Sequence, residues 1–206
     1  IVRIYGAIGG VPAYLDKWDA AKSFKENICR LVLTPSGALY GEADAVISSE
    51  LRELSAYSTI LAAIARGENK LNDIFHATGF SRAKISVYLK NLATFNIVEK
   101  VVSFETGGWE NAKKGVYQIK DTFVNFWFKF VYPNMSNLYL LSPEEFYDTH
   151  IEKELDAYLE RYFREVCTEY LLILNQMGQL PFTIKRVGTW IGKTGRIDIV
   201  AQSEDR

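Results

Sequence analysis

The spacing of apolar residues predicts a chain built mainly from helices, with its most regular pattern in the middle. There, apolar side chains recur every three or four positions, which places them on one face of a helix. The predicted helices cover residues 57–65, 71–77 and 82–94. Gly67 and Gly79 end the first two of these helices, and Ser81 is a suitable N-cap for the third.

Two strand-like segments follow these helices. Residues 97–105 and 116–120 are rich in apolar and β-branched side chains, and a polar, glycine-rich segment at 105–115 separates them. Two helices, a turn, a third helix and a hairpin are the order of elements in a winged helix-turn-helix. The pattern therefore predicts a winged-helix domain over residues 46–120.

The residues before this domain predict short helices. Pro12 suits the first position of a helix, a longer helix is predicted over 16–33, and residues 34–37 predict a turn. A further helix is predicted over 43–54.

The segment after the domain, residues 121–132, is densely aromatic and predicts a helix that Pro133 ends. We interpret it as a helix that packs in the core or between domains. A platform on which nucleic-acid bases stack is the alternative.

The C-terminal third predicts two helices followed by two strands. The sequence Ser-Pro-Glu-Glu at 142–145 is typical of a helix start, and residues 181–190 and 195–201 predict strands around a turn. Between residues 142 and 170 there are nine acidic and three basic side chains, a balance that repels a phosphate backbone. The overall prediction is an α+β chain that is mostly α.

Bulk composition limits the possible partners. The chain has 206 residues, is 48% hydrophobic and carries a formal net charge of −1, so any contact with DNA must come from a local patch. No apolar run approaches the roughly 18 residues that a membrane span needs. Cys29 and Cys167 are isolated, which favours two free thiols in a cytoplasmic protein over a disulfide. The termini, without an initiator Met or a signal pattern, suggest part of a longer protein.

The third helix of the winged-helix segment is the candidate recognition helix. Its predicted outward positions are Arg82, Lys84, Ser86, Tyr88 and Lys90. Lys113 and Lys114 would lie at the wing tip, within reach of a neighbouring phosphate. From residue 66 to residue 114 there are eight basic and five acidic side chains. This mild excess favours DNA binding, while packing or protein contact through the same helix remains the alternative.

Asp198 is the candidate catalytic residue, because it lies in a predicted buried strand with apolar neighbours. Metal-dependent nucleases of the PD-(D/E)XK class use such an Asp to hold Mg²⁺, often with a Glu from the preceding helix. Glu165 and Glu169 are the candidates for that Glu. No GxxxxGK[ST] motif occurs, so the chain has no phosphate-binding loop of its own and no cofactor is predicted to bind to it directly.

Several segments together resemble the C-terminal portion of proteins of the archaeal-type ATPase family. Members of this family are P-loop ATPases of the AAA/STAND kind. The segments are GGVPAYL at 9–15, SRAKISVYLKNL at 81–92, KKGVYQIKDTFVNFWFKFVYPN at 113–134 and LPFTIKRVGTWIGKTGRIDIVA at 180–201. The stretch at 117–134 is the most specific of them. Family members end in a domain of unknown function that resembles a PD-(D/E)XK nuclease.

This resemblance implies ATPase lid helices at 1–45, a winged helix at 46–120, and connecting helices with a truncated α/β nuclease-like domain at 121–206. It implies ATP and Mg²⁺ as cofactors of the longer parent protein, and it matches Asp198 to the family's strand Asp. One departure concerns the preceding helix, where the family has Phe-Glu and this chain has Phe163 and Arg164, with Glu165 one position later. A slip of one residue on a helix rotates a side chain by about 100°.

Three functional hypotheses follow. The preferred one is the DNA-binding and regulatory part of an ATP-driven switch. The second is a Mg²⁺-dependent nuclease that uses Asp198. The third is a protein-interaction module in which the aromatic helix and the acidic stretch, within residues 121–170, contact a protein partner or a second copy of the chain.

Overall fold

The computed structural model of the chain describes residues 1–48, 51, 53–106, 115–192 and 194–203. It confirms an α+β architecture that is mostly helical, with two small antiparallel sheets. The helices that precede the first strand are α1 (Val2–Ile8), α2 (Pro12–Leu15), α3 (Phe24–Ile28), α4 (Glu42–Ser48), α5 (Leu54–Ala65), α6 (Leu71–Thr78) and α7 (Arg82–Thr94).

The remaining elements alternate between hairpins and helices. The first hairpin consists of β1 (Val98–Val101) and β2 (Val116–Ile119), with Val98 opposite Ile119. The helices that follow are α8 (Thr122–Phe126), α9 (Met135–Leu140), α10 (Pro143–His150) and α11 (Glu152–Gln176). The second hairpin consists of β3 (Ile184–Ile191) and β4 (Arg196–Ser203).

Helices α5, α6 and α7 and the β1–β2 hairpin follow one another in the order predicted for a winged helix. Gly79 ends α6 in the left-handed region at φ 69°, which a residue with a Cβ rarely adopts. The Ser81 side chain then accepts a hydrogen bond from the Lys84 backbone N–H at 3.2 Å and starts α7. These two caps set the turn between α6 and the candidate recognition helix.

The aromatic segment lies in the centre of the core, as the preferred interpretation predicted. Helix α8 continues as a π-helical turn over Trp127–Val131, and both parts are buried. The largest buried side chains here are Phe123, Phe126, Trp127, Phe128 and Phe130. Because they are enclosed, they do not form the exposed surface that base stacking or partner contact would need.

Helix α1 packs against both α8 and α11, and Phe126 of α8 meets the Tyr158 ring of α11 with ring centroids 6.0 Å apart. A Cβ added at Gly6 of α1 would lie 2.4 Å from Leu159 Cδ2 of α11, so the missing side chain lets the two helices approach. The Tyr158 hydroxyl of α11 donates to the Gly6 carbonyl at 2.9 Å, and the Asn125 amide of α8 donates to the Tyr162 hydroxyl at 2.7 Å. Helix α1 therefore shares a core with the helices that follow the first hairpin.

Two predicted helix limits were wrong. Residues 16–22 are not helical, because they wrap around the buried Asn27 side chain, whose amide donates to the Asp19 carbonyl at 2.8 Å and whose oxygen accepts from the Asp19 N–H at 2.9 Å. A capping box at Ser23 starts α3 instead. The helix predicted over 43–54 ends at Ser48, and Leu51 and Glu53 lie outside any helix. The aromatic helix does end before Pro133, where a 3₁₀ turn at Tyr132–Asn134 leads into α9.

Three of the nine acidic residues at 142–170 form ion pairs with cations from other elements. Lys25 lies 2.6 Å from Asp148, Lys129 lies 2.6 Å from Glu154, and Arg3 lies 3.3 Å from Asp156. Glu145 closes a capping box with Ser142 at the start of α10. These carboxylates therefore join α10 and α11 to the rest of the core rather than forming a bare negative face.

Both cysteines are free thiols, as predicted. Burial raises the pKa of Cys29 to about 11. Within the described ranges, no helix is long and apolar enough to cross a bilayer.

Asp121 provides a test of the packing at the start of α8. Its carboxylate accepts from the Val124 N–H at 2.8 Å, and burial raises its pKa above the ordinary value of 3.8. We expect Asp121→Ala to lower the free energy of unfolding by about 1 kcal/mol through loss of the cap. Asp121→Asn keeps the cap and removes the buried charge, so it should be at least as stable as the wild type at pH 7.

The sign of the pH dependence follows from the raised pKa. An acid whose pKa is raised by folding destabilises the folded state as pH rises from its ordinary value through its folded value. The advantage of Asp121→Asn over the wild type should therefore shrink as pH falls from the raised pKa of Asp121 towards the ordinary value of 3.8 and be absent below it, as measured by urea unfolding at several pH values. An advantage that grows towards low pH would contradict this account.

Candidate nucleic-acid interface

Helix α7 has a buried inner face and an exposed outer face. Ile85, Leu89 and Leu92 pack into the core, whereas Val87 is 56% exposed in the middle of the opposite face. The outer face consists of Ala83, Ser86, Val87, Lys90 and Thr94, all exposed. In the part of the chain that the structure describes, α7 packs mainly against α6 and β1, and no other element covers this face.

Tyr88 was predicted on the outer face, and this prediction was wrong. Its ring is buried against Tyr57, with ring centroids 4.4 Å apart, and its hydroxyl donates to the Glu53 carboxylate. The hydrogen bond with Glu53, together with burial, raises the pKa of Tyr88 to about 12. Tyr88 therefore anchors α7 to the start of α5 and is not available to a ligand.

Arg82 and Lys84 lie in the first turn of α7 and are held in place by neighbouring side chains. The Arg82 guanidinium lies 4.1 Å from the centre of the Phe75 ring and donates to Asn72 Oδ1 at 2.6 Å. Lys84 Nζ lies 4.5 Å from the centre of the Phe80 ring and 4.0 Å from a Glu53 carboxylate oxygen. Cation–π contacts of this kind fix a cation without neutralising it.

The other predicted contacts differ in accessibility. Lys90 is exposed and has no ion pair within the described residues. Ser86 is also exposed, although its hydroxyl donates to the Arg82 carbonyl at 2.9 Å. Lys113 and Lys114 lie outside the described residues, so their place at the wing tip stays a prediction.

The first hairpin contacts the second, a connection that the sequence did not reveal. The Trp190 indole N–H donates to Glu105 at 2.6 Å, and the Ile191 backbone N–H donates to the Ser103 hydroxyl at 3.0 Å. Phe104 lies beneath Gly188, where an added Cβ would be 3.1 Å from its ring, and the Arg186 guanidinium stacks 3.9 Å above the ring centre. The segment that follows β1 is therefore joined to β3.

Asp198 of β4 faces two arginines. Its Oδ1 lies 3.0 Å from Arg196 Nε and 3.3 Å from Arg164 Nε. The strand was predicted to be buried, but the Asp198 side chain is 50% exposed, because α11 and the 103–106 segment cover only part of the hairpin.

The two candidate helix glutamates do not join Asp198. Glu165 pairs with Arg161 at 2.8 Å, one turn earlier on α11, and Glu169 is exposed. The side chain that reaches Asp198 is Arg164, at the position where the resembling family has Glu. Among the described residues, no group of three or more His, Cys, Asp and Glu side chains is placed to hold a metal ion.

The contact between the two hairpins can be tested at the hydrogen bond from the Ile191 N–H to the Ser103 hydroxyl. Ser103→Ala removes the acceptor of the Ile191 N–H and leaves that half-buried donor without this partner, a loss of about 1 kcal/mol. We expect the Ile191 amide to exchange with solvent about fivefold faster by NMR. Ser86→Ala, which removes an exposed hydroxyl on α7, is the control and should leave Ile191 unchanged. Equal exchange rates in wild type and Ser103→Ala would show that the contact is not formed in solution.

Comparison with known proteins gives a partial match. Residues 127–206 match the profile of a family described as archaeal and bacterial proteins of unknown function, DUF234. Over all of its length the chain is 32% identical to an uncharacterized protein of Methanocaldococcus jannaschii, and it spans 45% of that protein. No solved structure matches the chain. In its C-terminal part the chain is therefore similar to a family of archaeal and bacterial proteins whose function is unknown.

Proposed function

We propose that this chain binds duplex DNA through the outer face of α7. The observation that carries the proposal is that this face is exposed along the whole helix while the opposite face is anchored in the core. A major groove admits one α-helix, and helix-turn-helix proteins place their recognition helix there with its N-terminal residues towards the bases.

The side chains of the outer face suit such a groove. Ala83 and Val87 are small apolar residues that can contact a thymine methyl group, and Ser86 can donate to or accept from a base edge. Arg82 stands at the N-terminal end of the helix, where its guanidinium is oriented by Phe75 and Asn72. Lys90, further along, can reach a phosphate.

The resemblance extends the proposal to a longer protein. The chain spans less than half of its archaeal relative, which leaves room there for a nucleotide-binding core. We propose that the 206 residues are the DNA-binding and regulatory part of a P-loop ATPase whose core binds ATP and Mg²⁺. Nucleotide would then act by shifting the population of two arrangements with different DNA contacts.

A protein-interaction role is the second candidate, and one observation favours it. From its middle to its C-cap, α11 exposes a row of apolar side chains at helical spacing, namely Phe163, Tyr170, Ile173 and Met177. Exposed apolar patches of this kind often mark contacts with other proteins. A nuclease is not proposed, since Asp198 is surrounded by arginines instead of by further carboxylates.

The DNA-binding proposal can be tested by fluorescence anisotropy with a random-sequence duplex at several salt concentrations. Val87→Glu places a carboxylate at the centre of the outer face and should weaken binding at least about tenfold through repulsion of the phosphates. Arg82→Gln and Lys90→Gln should each lower the slope of log affinity against log salt by roughly one, if each side chain contacts a phosphate. The Lys113/Lys114→Ala double variant tests the wing in the same way.

Ile173→Glu is the matched control for Val87→Glu, because Ile173 is 51% exposed and lies on α11, away from α7. It should bind DNA like the wild type. Absence of binding by the wild type at low salt would rule out the DNA-binding proposal. A change of oligomeric state or of partner binding in Ile173→Glu alone would instead favour the interaction role.

The ATPase proposal is tested on the longer protein. We expect its affinity for the same duplex to differ at least about threefold between the ATP–Mg²⁺ state, the ADP state and the nucleotide-free state, which corresponds to less than 1 kcal/mol of coupling. An affinity that is identical in all three states would contradict a nucleotide-driven switch while leaving DNA binding by the chain intact.

A further inference from the structure

A pair of arginines meets at a single carboxylate oxygen between α11 and β4. Arg164 comes from the helix and Arg196 from the strand, and both place Nε within 3.3 Å of Asp198 Oδ1. The shared oxygen fixes the two guanidinium groups side by side. We call Arg164 and Arg196 the arginine pair.

The arginine pair keeps most of its hydrogen-bonding capacity. A guanidinium has five N–H donors in a planar fork, and contact with Asp198 uses the Nε–H of each residue. Neither Arg164 nor Arg196 has another ion pair or side-chain hydrogen bond within the described part of the chain. Their side chains are 23% and 44% exposed, so a ligand in solution can reach the remaining N–H groups.

The arginine pair also carries positive charge that is not compensated locally. Two cations share one carboxylate, and the nearby Glu165 is engaged by Arg161 at 2.8 Å. Burial, followed by the neighbouring positive charge of Arg164, lowers the pKa of Arg196. Burial disfavours a charge of either sign, whereas the repulsion between the two guanidinium groups is relieved by an anion placed beside them.

We propose that the arginine pair is a binding site for a phosphate group. Guanidinium forks match the oxygen geometry of phosphate and bind it through two parallel N–H···O bonds, which an ammonium group cannot do. The phosphate belongs either to a small free ligand or to the backbone of a nucleic acid. No bond is made or broken in this step, because the site only holds the anion.

For duplex DNA the inference rests on the proposed function. Arg196 lies on the hairpin that contacts the segment following β1 through Trp190 and Ile191. The arginine pair and the first hairpin therefore belong to one connected unit, and a DNA contact at the pair would extend the interface beyond α7.

The first arm of the test uses inorganic phosphate at constant ionic strength, with the arginine Nε–H signals followed by ¹H–¹⁵N NMR. We expect saturable shifts of the signals from Arg164 and Arg196, identified by their loss in Arg164→Gln and Arg196→Gln. The double variant should lose at least about tenfold in phosphate affinity. Arg164→Lys keeps the charge without the fork and should also weaken binding severalfold. Arg3→Gln, in an exposed ion pair with Asp156, is the control and should change affinity less than twofold.

The second arm uses the random-sequence duplex. If the backbone is the source of the phosphate, the Arg164/Arg196→Gln double variant lowers the salt slope by about one to two while Arg3→Gln does not. If the wild type binds no DNA but phosphate still shifts both signals, the arginine pair is a site for the phosphate of a small ligand. The DNA-binding proposal then fails.

A protein that binds DNA through α7 but does not bind phosphate at the arginine pair would separate the two proposals. If Val87→Glu abolishes DNA binding while phosphate shifts neither signal and the double variant binds DNA like the wild type, the arginine pair is not a phosphate site. Shifts of equal size at Arg3, Arg164 and Arg196 would likewise overturn the inference, because they would report only nonspecific attraction of the anion.

Discussion

The structure depends on the burial of the aromatic segment that starts at Thr122. Its side chains fill the space between α1 and α11, and both helices approach closely enough that Gly6 has no room for a side chain. The burial of several aromatic rings, each worth roughly 2–3 kcal/mol, outweighs what any single surface contact of this chain can contribute. The first hairpin is attached to this core at the end of β2, where Arg161 of α11 donates to the Ile119 carbonyl at 2.7 Å.

Charge in this chain is organised by pairing across elements. The acidic residues of α10 and α11 meet Lys25, Lys129 and Arg3 from elsewhere in the fold, so a stretch that is strongly negative in sequence is partly neutralised in space. Each surface ion pair of this kind contributes only about 0–1 kcal/mol to stability. The pairs matter more for which surfaces of the protein keep a net charge. The two proposals rest on the outer face of α7, where Lys90 has no ion pair among the described residues, and on the arginine pair, where two cations share one carboxylate.

The two hairpins connect helices α5–α7 to the C-terminal part. Because Trp190 and Ile191 bond to the 103–105 segment, a movement of the β3–β4 hairpin would be transmitted to the residues that follow β1. If the proposed DNA binding through α7 holds, this contact is a physical route by which a longer protein would alter it. The exposed apolar row on α11 lies next to the same hairpin, since α11 packs against both β3 and β4.

The sequence by itself determined the elements whose signals are local. Ser81, Ser142 and Gly79 fixed helix ends, the spacing of Ile85, Leu89 and Leu92 fixed the inner face of α7, and the aromatic density at 121–132 indicated a core helix. Tertiary structure decided what depends on distant partners. The Tyr88 side chain points inward because its ring packs on Tyr57 and its hydroxyl bonds to Glu53, both more than 30 positions away. The helix predicted over 16–33 starts several residues later in the structure, because the Asn27 side chain bonds to the loop before it. Asp198 pairs with Arg164, whereas Glu165 pairs with Arg161. Neighbouring residues on a helix point about 100° apart. The position of the β3–β4 hairpin on α11 therefore determines which of these side chains reaches Asp198.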